Sequence, residues 1–280
     1  MKLERKPDWL RKRVNPADQA DVQRLMEELH LNTVCRQALC PNISECFSSG
    51  QATFLILGKI CTRQCMFCNV DKAAPLPVDM DEPARVAEAV VRLGLSHVVI
   101  TSPTRDDLPD GGASQFASTV EMLRARAPET RIELLIPDFM GNRMSLALVT
   151  ASRPDIIAHN LETVPRLYHV RSEAEYTRSL EVLHFCGSQG SAIRIKSGIM
   201  LGLGEVEEEV VQVFRDMVEA GCMYLSIGQY LAPSRRHVPV QEYVSPERFE
   251  HLRTVALGLG FSHVESGPYV RSSYHAALYT

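Results

Sequence analysis

The sequence predicts an α/β fold, a parallel sheet curled into a partial, open barrel of six β/α units with an N-terminal and a C-terminal extension. Three observations predict it. From Thr53 onward, short apolar runs alternate with longer amphipathic stretches, and strands alternating with helices in this way build a parallel sheet. The crossovers are right-handed, so the helices fall outside, and six units rather than eight leave the barrel open. A cysteine-rich loop directly follows the first apolar run, at a C-terminal strand end, where chemistry gathers in such folds.

The chain divides into an extension over 1–46, the barrel over 47–262 and a closing segment over 263–280. Trp9, the sole tryptophan, is expected to anchor the extension by packing. Asn15 and Pro16 suit the cap and first position of a helix, and Val22, Leu25, Met26, Leu29 and Leu31 give it an apolar face. Strands are expected at 53–58, 96–101, 131–136, 155–158, 192–196 and 223–227. Helices are expected at 82–94, 113–126, 142–152, 172–189, 205–220 and 246–259. Ala73 to Pro77 reads as a surface loop. The closing segment is too rich in placed polar groups to be a frayed end.

A net charge of −4 and a pI near 6.2 argue against a nucleic-acid platform, and the short basic run from Lys2 to Arg13 reads as a solvated face. No apolar run reaches the ~18 residues of a membrane span, and no apolar stretch backs the N-terminal charges as a secretory signal would. The expected compartment is the cytoplasm. There the eight cysteines are kept from disulfides, which favours metal or catalytic roles.

Six of those cysteines form two triplets. Cys61, Cys65 and Cys68 are spaced C-x3-C-x2-C, a poor match to a closed tetrahedral zinc site and a better one to an iron–sulfur cluster. Three thiolates on a four-iron cube leave one iron open to a small molecule, as reductive cleavage of S-adenosylmethionine requires. Cys35, Cys40 and Cys46 lie in a turn-rich segment that cannot bury them by periodicity, which suggests a second metal centre, with zinc an alternative on composition alone. Cys186 and Cys222 read as buried structural thiols.

With both triplets placed, the chain from about Trp9 onward closely resembles the lipoyl synthase family of radical S-adenosylmethionine (radical SAM) enzymes. The carriers are Cys35-x4-Cys40-Pro-Asn-Ile-x-Glu-Cys46, Ala52-Thr-Phe-x-Ile-Leu-Gly58 and Cys61-Thr-Arg-x-Cys65-x-Phe-Cys68-x-Val70. Beyond them stand Arg105-Asp-Asp-Leu-Pro-Asp-Gly-Gly-Ala113, His159-Asn-Leu-Glu-Thr-Val-Pro-Arg166, Lys196-Ser-Gly-Ile-Met-Leu-Gly-Leu-Gly-Glu205, Ile227-Gly-Gln-Tyr-Leu231 and Arg271-Ser-Ser-Tyr274.

The resemblance implies a radical SAM partial barrel and a sulfurtransferase that inserts sulfur at C6 and C8 of a protein-bound N6-octanoyl-lysine. It implies two 4Fe-4S clusters and S-adenosylmethionine as cofactors. Cys61, Cys65 and Cys68 would hold the cluster that cleaves S-adenosylmethionine. Cys35, Cys40 and Cys46 would hold an auxiliary, sacrificial cluster, with Ser273, or alternatively Ser272, as fourth ligand. A serine oxygen is harder than thiolate and marks the iron expected to leave first. Asn160, Glu162, Arg178, Gly198 and Gly202 are expected around S-adenosylmethionine, the arginine as a forked donor to its carboxylate and the glycines for close backbone approach. Arg105, Asp106, Asp107 and Asp110 are read either as part of that site or as a loop closing the barrel top.

The implied partners are an octanoylated lipoyl-domain carrier, either a 2-oxoacid dehydrogenase acyltransferase subunit or a glycine-cleavage H protein, an electron donor such as flavodoxin or ferredoxin, and an iron–sulfur carrier that rebuilds the auxiliary cluster. No nucleic acid or membrane is implied. Gln51, Lys59, Ile60, Pro103 and the shortened Leu167–Tyr176 stretch depart from the family pattern without touching an expected ligand. The competing readings are a biotin-synthase-like sulfur inserter and a zinc-stabilised binding module.

Overall fold

Apolar runs become strands, and the amphipathic stretches between them become the helices that cover the sheet. The computed structural model describes residues 6–10, 20–48, 52–190 and 192–279. In chain order the strands are β1 (Asn32–Thr33), β2 (Thr53–Leu55), β3 (Ile60–Cys61), β4 (Asp71–Lys72), β5 (His97–Thr101), β6 (Arg131–Leu135), β7 (Ile156–Ala158), β8 (Arg194–Leu201), β9 (Tyr224–Gln229) and β10 (His263–Gly267). The helices are α1 (Ala20–Glu28), α2 (Val34–Gln37), α3 (Ile43–Ser48), α4 (Glu82–Leu93), α5 (Ala113–Arg126), α6 (Arg143–Ala151), α7 (Tyr176–Ser188), α8 (Glu207–Glu219) and α9 (Pro246–Leu259).

The main sheet is eight-stranded, in the order β1–β2–β5–β6–β7–β8–β9–β10, and is open. Every pairing from β2 to β10 is parallel, and only β1 runs antiparallel, against β2. Helices α4 to α9 each follow a strand, so the six expected β/α units are present. A further parallel strand, β10, was not expected. Its sequence, His263-Val-Glu-Ser-Gly267, holds one aliphatic residue, and it joins the sheet through its backbone pairing to Tyr224–Gly228.

Local chemistry sets the helix ends. Asn142 caps α6 by accepting from the Met144 and Ser145 amides at 2.9 and 3.3 Å. Ser245 caps α9 ahead of Pro246, and left-handed Gly94 and Gly260 end α4 and α9. In the extension, Val22, Leu25 and Met26 of α1 are buried as expected, while the predicted cap at Asn15 and Pro16 lies outside the described residues. Trp9 is 37% exposed, and its neighbour Leu10 is the fully buried residue of that turn. Cys186 and Cys222 are buried, and the 73–77 stretch is a largely exposed loop. Among the described residues, no helix is long and apolar enough to cross a membrane.

Inside the sheet sits a charge pair. Lys196 of β8 reaches Glu133 of β6 at 2.9 Å, with both side chains at most 1% exposed. Burial pushes Glu133 upward, but Lys196 and then His97, 3.3 Å from its other oxygen, outweigh that and hold it below the usual carboxylate range. Removing one partner strands the other charge in the interior. Lys196→Met should therefore destabilise the cluster-free chain by ~3–5 kcal/mol in denaturant unfolding, and adding Glu133→Gln should recover most of it. A single variant as stable as the parent would contradict this account.

Candidate active site

The site begins where β2 ends. Leu57 and Gly58 both adopt left-handed backbone, with φ of 66° and 84°, and turn the chain out of the sheet into the first cysteine loop. Both polar groups of Leu57 are clamped. Its N–H donates to Glu82 Oε2 at 2.7 Å, and its carbonyl accepts from Arg105 Nη1 at 3.1 Å. Glu82 and Arg105 are both buried, and burial raises the Glu82 pKa. Arg105 also binds Asp107 and the Leu76 carbonyl, so of its two readings the structural one describes its contacts.

The loop is held from many sides. At its base, β3 and β4 pair Ile60 with Asp71 and Cys61 with Lys72. Arg63, 5% exposed, forks between Asp106 at 2.7 Å and Asp138 at 2.6 Å, joining the loop to the ends of β5 and β6. Burial would raise the Asp138 pKa, but its hydrogen bonds to Arg63 and that residue's charge hold it at about 2. Met66 N–H donates to the Val170 carbonyl, the Val238 N–H donates to the Met66 carbonyl, and His237 lies 3.3 Å from the Cys68 carbonyl. Asn69 donates to the Gln37 carbonyl at 2.7 Å, tying this loop to the segment that carries the other triplet.

Burial sets the state of two thiols of this triplet, and one arginine tempers it. Burial pushes the Cys68 thiol up to about 11 and raises Cys65, with Arg171 opposing the rise at Cys65. Glu162 shares this environment: burial raises its pKa and Arg171 pulls against it. Arg171 donates to the carbonyls of Asn160 and Leu161 at 3.0 and 3.2 Å. No sequence signal singled it out beyond its place in the shortened stretch.

Asn160, just past β7, donates from Nδ2 to Glu162 and to Ser272 Oγ, while its Oδ1 is buried without a hydrogen-bond partner. An unpaired buried acceptor is costly unless a donor belongs there. Gly198 of β8 makes room for it, since a β-carbon there would lie 2.9 Å from Asn160 Oδ1. Gly202 stands elsewhere, in a left-handed turn after β8 packed on Gln229, where a side chain would collide. Arg178 is also elsewhere. On α7 it binds Asp138 at 3.0 Å, Glu175 at 3.3 Å and the Glu173 carbonyl, so its fork is committed away from Asn160 and Glu162.

The second triplet lines a cavity of about 150 Å3 together with Thr53, Arg271, Ser273 and Tyr274. Cys35 is raised by burial and by the adjacent Cys40, and none of the eight cysteines is in a disulfide. The two serines part company here. Ser273 Oγ accepts from Thr53 Oγ1 at 2.7 Å on the cavity wall, whereas Ser272 is turned to Asn160. Three thiols and a hydroxyl around one space form a donor set that fits an iron–sulfur cluster. Cys61, Cys65 and Cys68 share their surroundings with Glu162, the hydrogen-bond partner of Asn160, whose free Oδ1 can accept from a polar ligand, and this donor set fits a cluster that binds such a ligand.

Residues 55–217 match the model of the radical SAM superfamily. Among solved structures, methylornithine synthase superposes with a TM-score of 0.56 at 15% identity, over 94% of this chain and 88% of that one. The Streptococcus suis SuiB complex with its precursor peptide gives 0.61 at 11% identity, over 76% and 48%. Fold and cysteine loop together define a radical SAM enzyme. The lipoyl synthase of Geobacter metallireducens is 63% identical over 279 residues, covering 100% of this chain and 99% of the relative. That of Caldanaerobacter subterraneus subsp. tengcongensis is 53% identical over 273 residues, covering 97% and 96%. The chain belongs to the lipoyl synthase family, whose members are radical SAM enzymes that insert sulfur.

His159, buried beneath Asn160, is fixed between the Ile136 carbonyl at 2.9 Å and Ser179 Oγ at 3.1 Å. Burial, and next the charge of Arg171, pulls its pKa from 6.5 to about 4. Below pH 6.5 the unfolded chain therefore takes up a proton that the folded chain refuses until about pH 4. Stability is lost across that window as pH falls, by about 3 kcal/mol in all. Urea unfolding at both ends of the window should show this loss in the parent chain and a correspondingly smaller one in His159→Gln.

Proposed function

We propose that the chain inserts sulfur at C6 and C8 of an octanoyl group held in amide linkage on a lysine of a lipoyl-domain carrier protein, giving the lipoyl group. The observation that carries this reading is Asn160, which bonds Glu162 on one side and Ser272, neighbour of Ser273, on the other. It thereby joins the surroundings of the first triplet to the wall of the second. In this reading Cys61, Cys65 and Cys68 hold the cluster that binds S-adenosylmethionine, with Asn160, Glu162 and Gly198 about the cofactor. Gly202 shapes the turn beyond, and Arg171 takes the electropositive role expected of Arg178. Cys35, Cys40, Cys46 and Ser273 hold the auxiliary cluster.

Once bound, the two clusters and S-adenosylmethionine supply the electron, the 5′-deoxyadenosyl radical and the sulfur. The chain's own residues position and exclude. Glu82 and Arg105 fix the turn that aims the first loop, and Arg63 ties that loop to two strand ends. Thiols kept neutral by burial must release protons as iron binds, so loading is favoured at higher pH. The carrier in this reading is a 2-oxoacid dehydrogenase acyltransferase subunit or a glycine-cleavage H protein. Flavodoxin or ferredoxin delivers the electron, and an iron–sulfur carrier rebuilds the auxiliary cluster.

Reconstituted anaerobically, the chain should hold about eight irons and convert an octanoyl-lysine peptide to the lipoyl product. Cys65→Ala should keep about four irons and yield neither 5′-deoxyadenosine nor product. Cys40→Ala should also keep about four, still cleave S-adenosylmethionine, and insert no sulfur. Mass spectrometry of the peptide decides: no thiolation by the parent chain would end the reading. Thiolation by Cys40→Ala would end the auxiliary-cluster assignment alone.

A further inference from the structure

The geometry points to Tyr279 as the positioning residue of the auxiliary site, an anchor buried in the barrel interior that keeps Ser273 presented to the Cys35, Cys40 and Cys46 cavity. The inference rests on the reading of Ser273 as a ligand and goes beyond it. After β10 the chain is caught at successive residues by different elements. Asn42 donates to the Tyr269 carbonyl, Ser272 accepts from Asn160, and Ser273 accepts from Thr53. Tyr274 Oη donates to Glu45 Oε1 at 2.9 Å, and His275 lies 3.4 Å from Glu265 Oε2.

These ties differ greatly in strength. The Tyr274–Glu45 bond is exposed, and His275 is 43% exposed, so each is screened by water and contributes little. Tyr279 is different. It is 0% exposed, its ring lies 3.6 Å from Lys196 Nζ, and its hydroxyl is 2.9 Å from Ser226 Oγ. Tyr224 and His263 pack on the same ring at centroid distances of 5.3 and 4.7 Å. A cation over a desolvated aromatic face, with a satisfied hydroxyl, is a hold that water does not screen.

Between Ser273 and Tyr279 the path is short and turned, closed by Tyr274 N–H to the Arg271 carbonyl and Leu278 N–H to the His275 carbonyl. Ser273 is therefore bracketed, by Asn160 on the residue before it and by Tyr279 after it. A hydroxyl is a weak partner for cluster iron, so its occupancy depends on the effective concentration that such bracketing enforces. Without the ring, the segment after Ser273 loses its one fully buried aromatic anchor among the described contacts, and Ser273 leaves the cavity wall more often.

The test compares iron release to a chelator in two full-length backgrounds. One carries Cys61→Ala, Cys65→Ala and Cys68→Ala and so loads only the auxiliary site. The other carries Cys35→Ala, Cys40→Ala and Cys46→Ala and loads only the first. Tyr279→Ala should release auxiliary iron about tenfold faster, leave release from the other site unchanged, and perturb the electron paramagnetic resonance of the auxiliary cluster alone. Tyr279→Phe, which keeps the ring over Lys196, should restore slow release. Equal acceleration at both sites would mean general loosening and overturn the inference, as would a Phe variant as labile as the Ala variant. Ser273→Ala separates the two claims. Fast release there with slow release in Tyr279→Ala overturns the anchor only, whereas slow release in Ser273→Ala overturns the ligand reading on which it rests.

Discussion

The interior is arranged around a charge it cannot leave alone. Lys196 and Glu133 face each other across the sheet with no access to solvent, and a buried ion stripped of its partner is far less stable than one never buried. Satisfying Lys196 therefore recruits neighbours: Glu133 from β6 and, on its other side, the ring of Tyr279. His97 completes the set against Glu133, and it also lines the cavity of the second triplet. One polar requirement in the middle of the sheet thus reaches the edge of a reaction site.

The two triplets are positioned by opposite strategies. Cys61, Cys65 and Cys68 ride on a loop whose every approach is fixed: a strained turn clamped at both ends, a short two-stranded base, and Arg63 forked into two carboxylates. Rigid placement suits a site that must receive the same cofactor in every turnover. Cys35 and Cys46 sit on short helices and Cys40 on the loop between them, and their wall is finished by a segment more than two hundred residues further along the chain, as the Thr53–Ser273 bond illustrates. That wall is held by hydrogen bonds from separate elements of the fold rather than by one rigid turn. Asn160 stands where the two arrangements meet.

Much of this was legible because parallel strands buried on both faces read as continuous apolar runs. His97 to Thr101 and Arg131 to Leu135 lie within a residue of their expected bounds. Expectation failed where side-chain pattern and backbone pairing part. Strand β8 was expected to stop at Lys196, where the apolar run ends, yet it runs on to Leu201 through Gly198, which leaves room for Asn160. Arg178 was expected as a forked donor near the cofactor, inside a helix expected to start at 172. The chain instead forms a 3-10 turn over Pro165–Val170 and starts α7 at Tyr176, which swings Arg171 under Asn160 and sends Arg178 to Asp138. Ser272 and Ser273 are chemically identical neighbours, and only distant partners, Asn160 and Thr53, tell them apart.

The smallest strand has a consequence of its own. β1 is two residues long, pairs antiparallel with β2, and leads directly into the helix that holds Cys35. It is the cover on one margin of an open sheet, and an uncovered margin is a template for pairing with another chain. The segment that carries Cys35 thus also caps this margin of the sheet, so a change that loosens it would expose the β2 edge as well as disturb the wall of the second triplet.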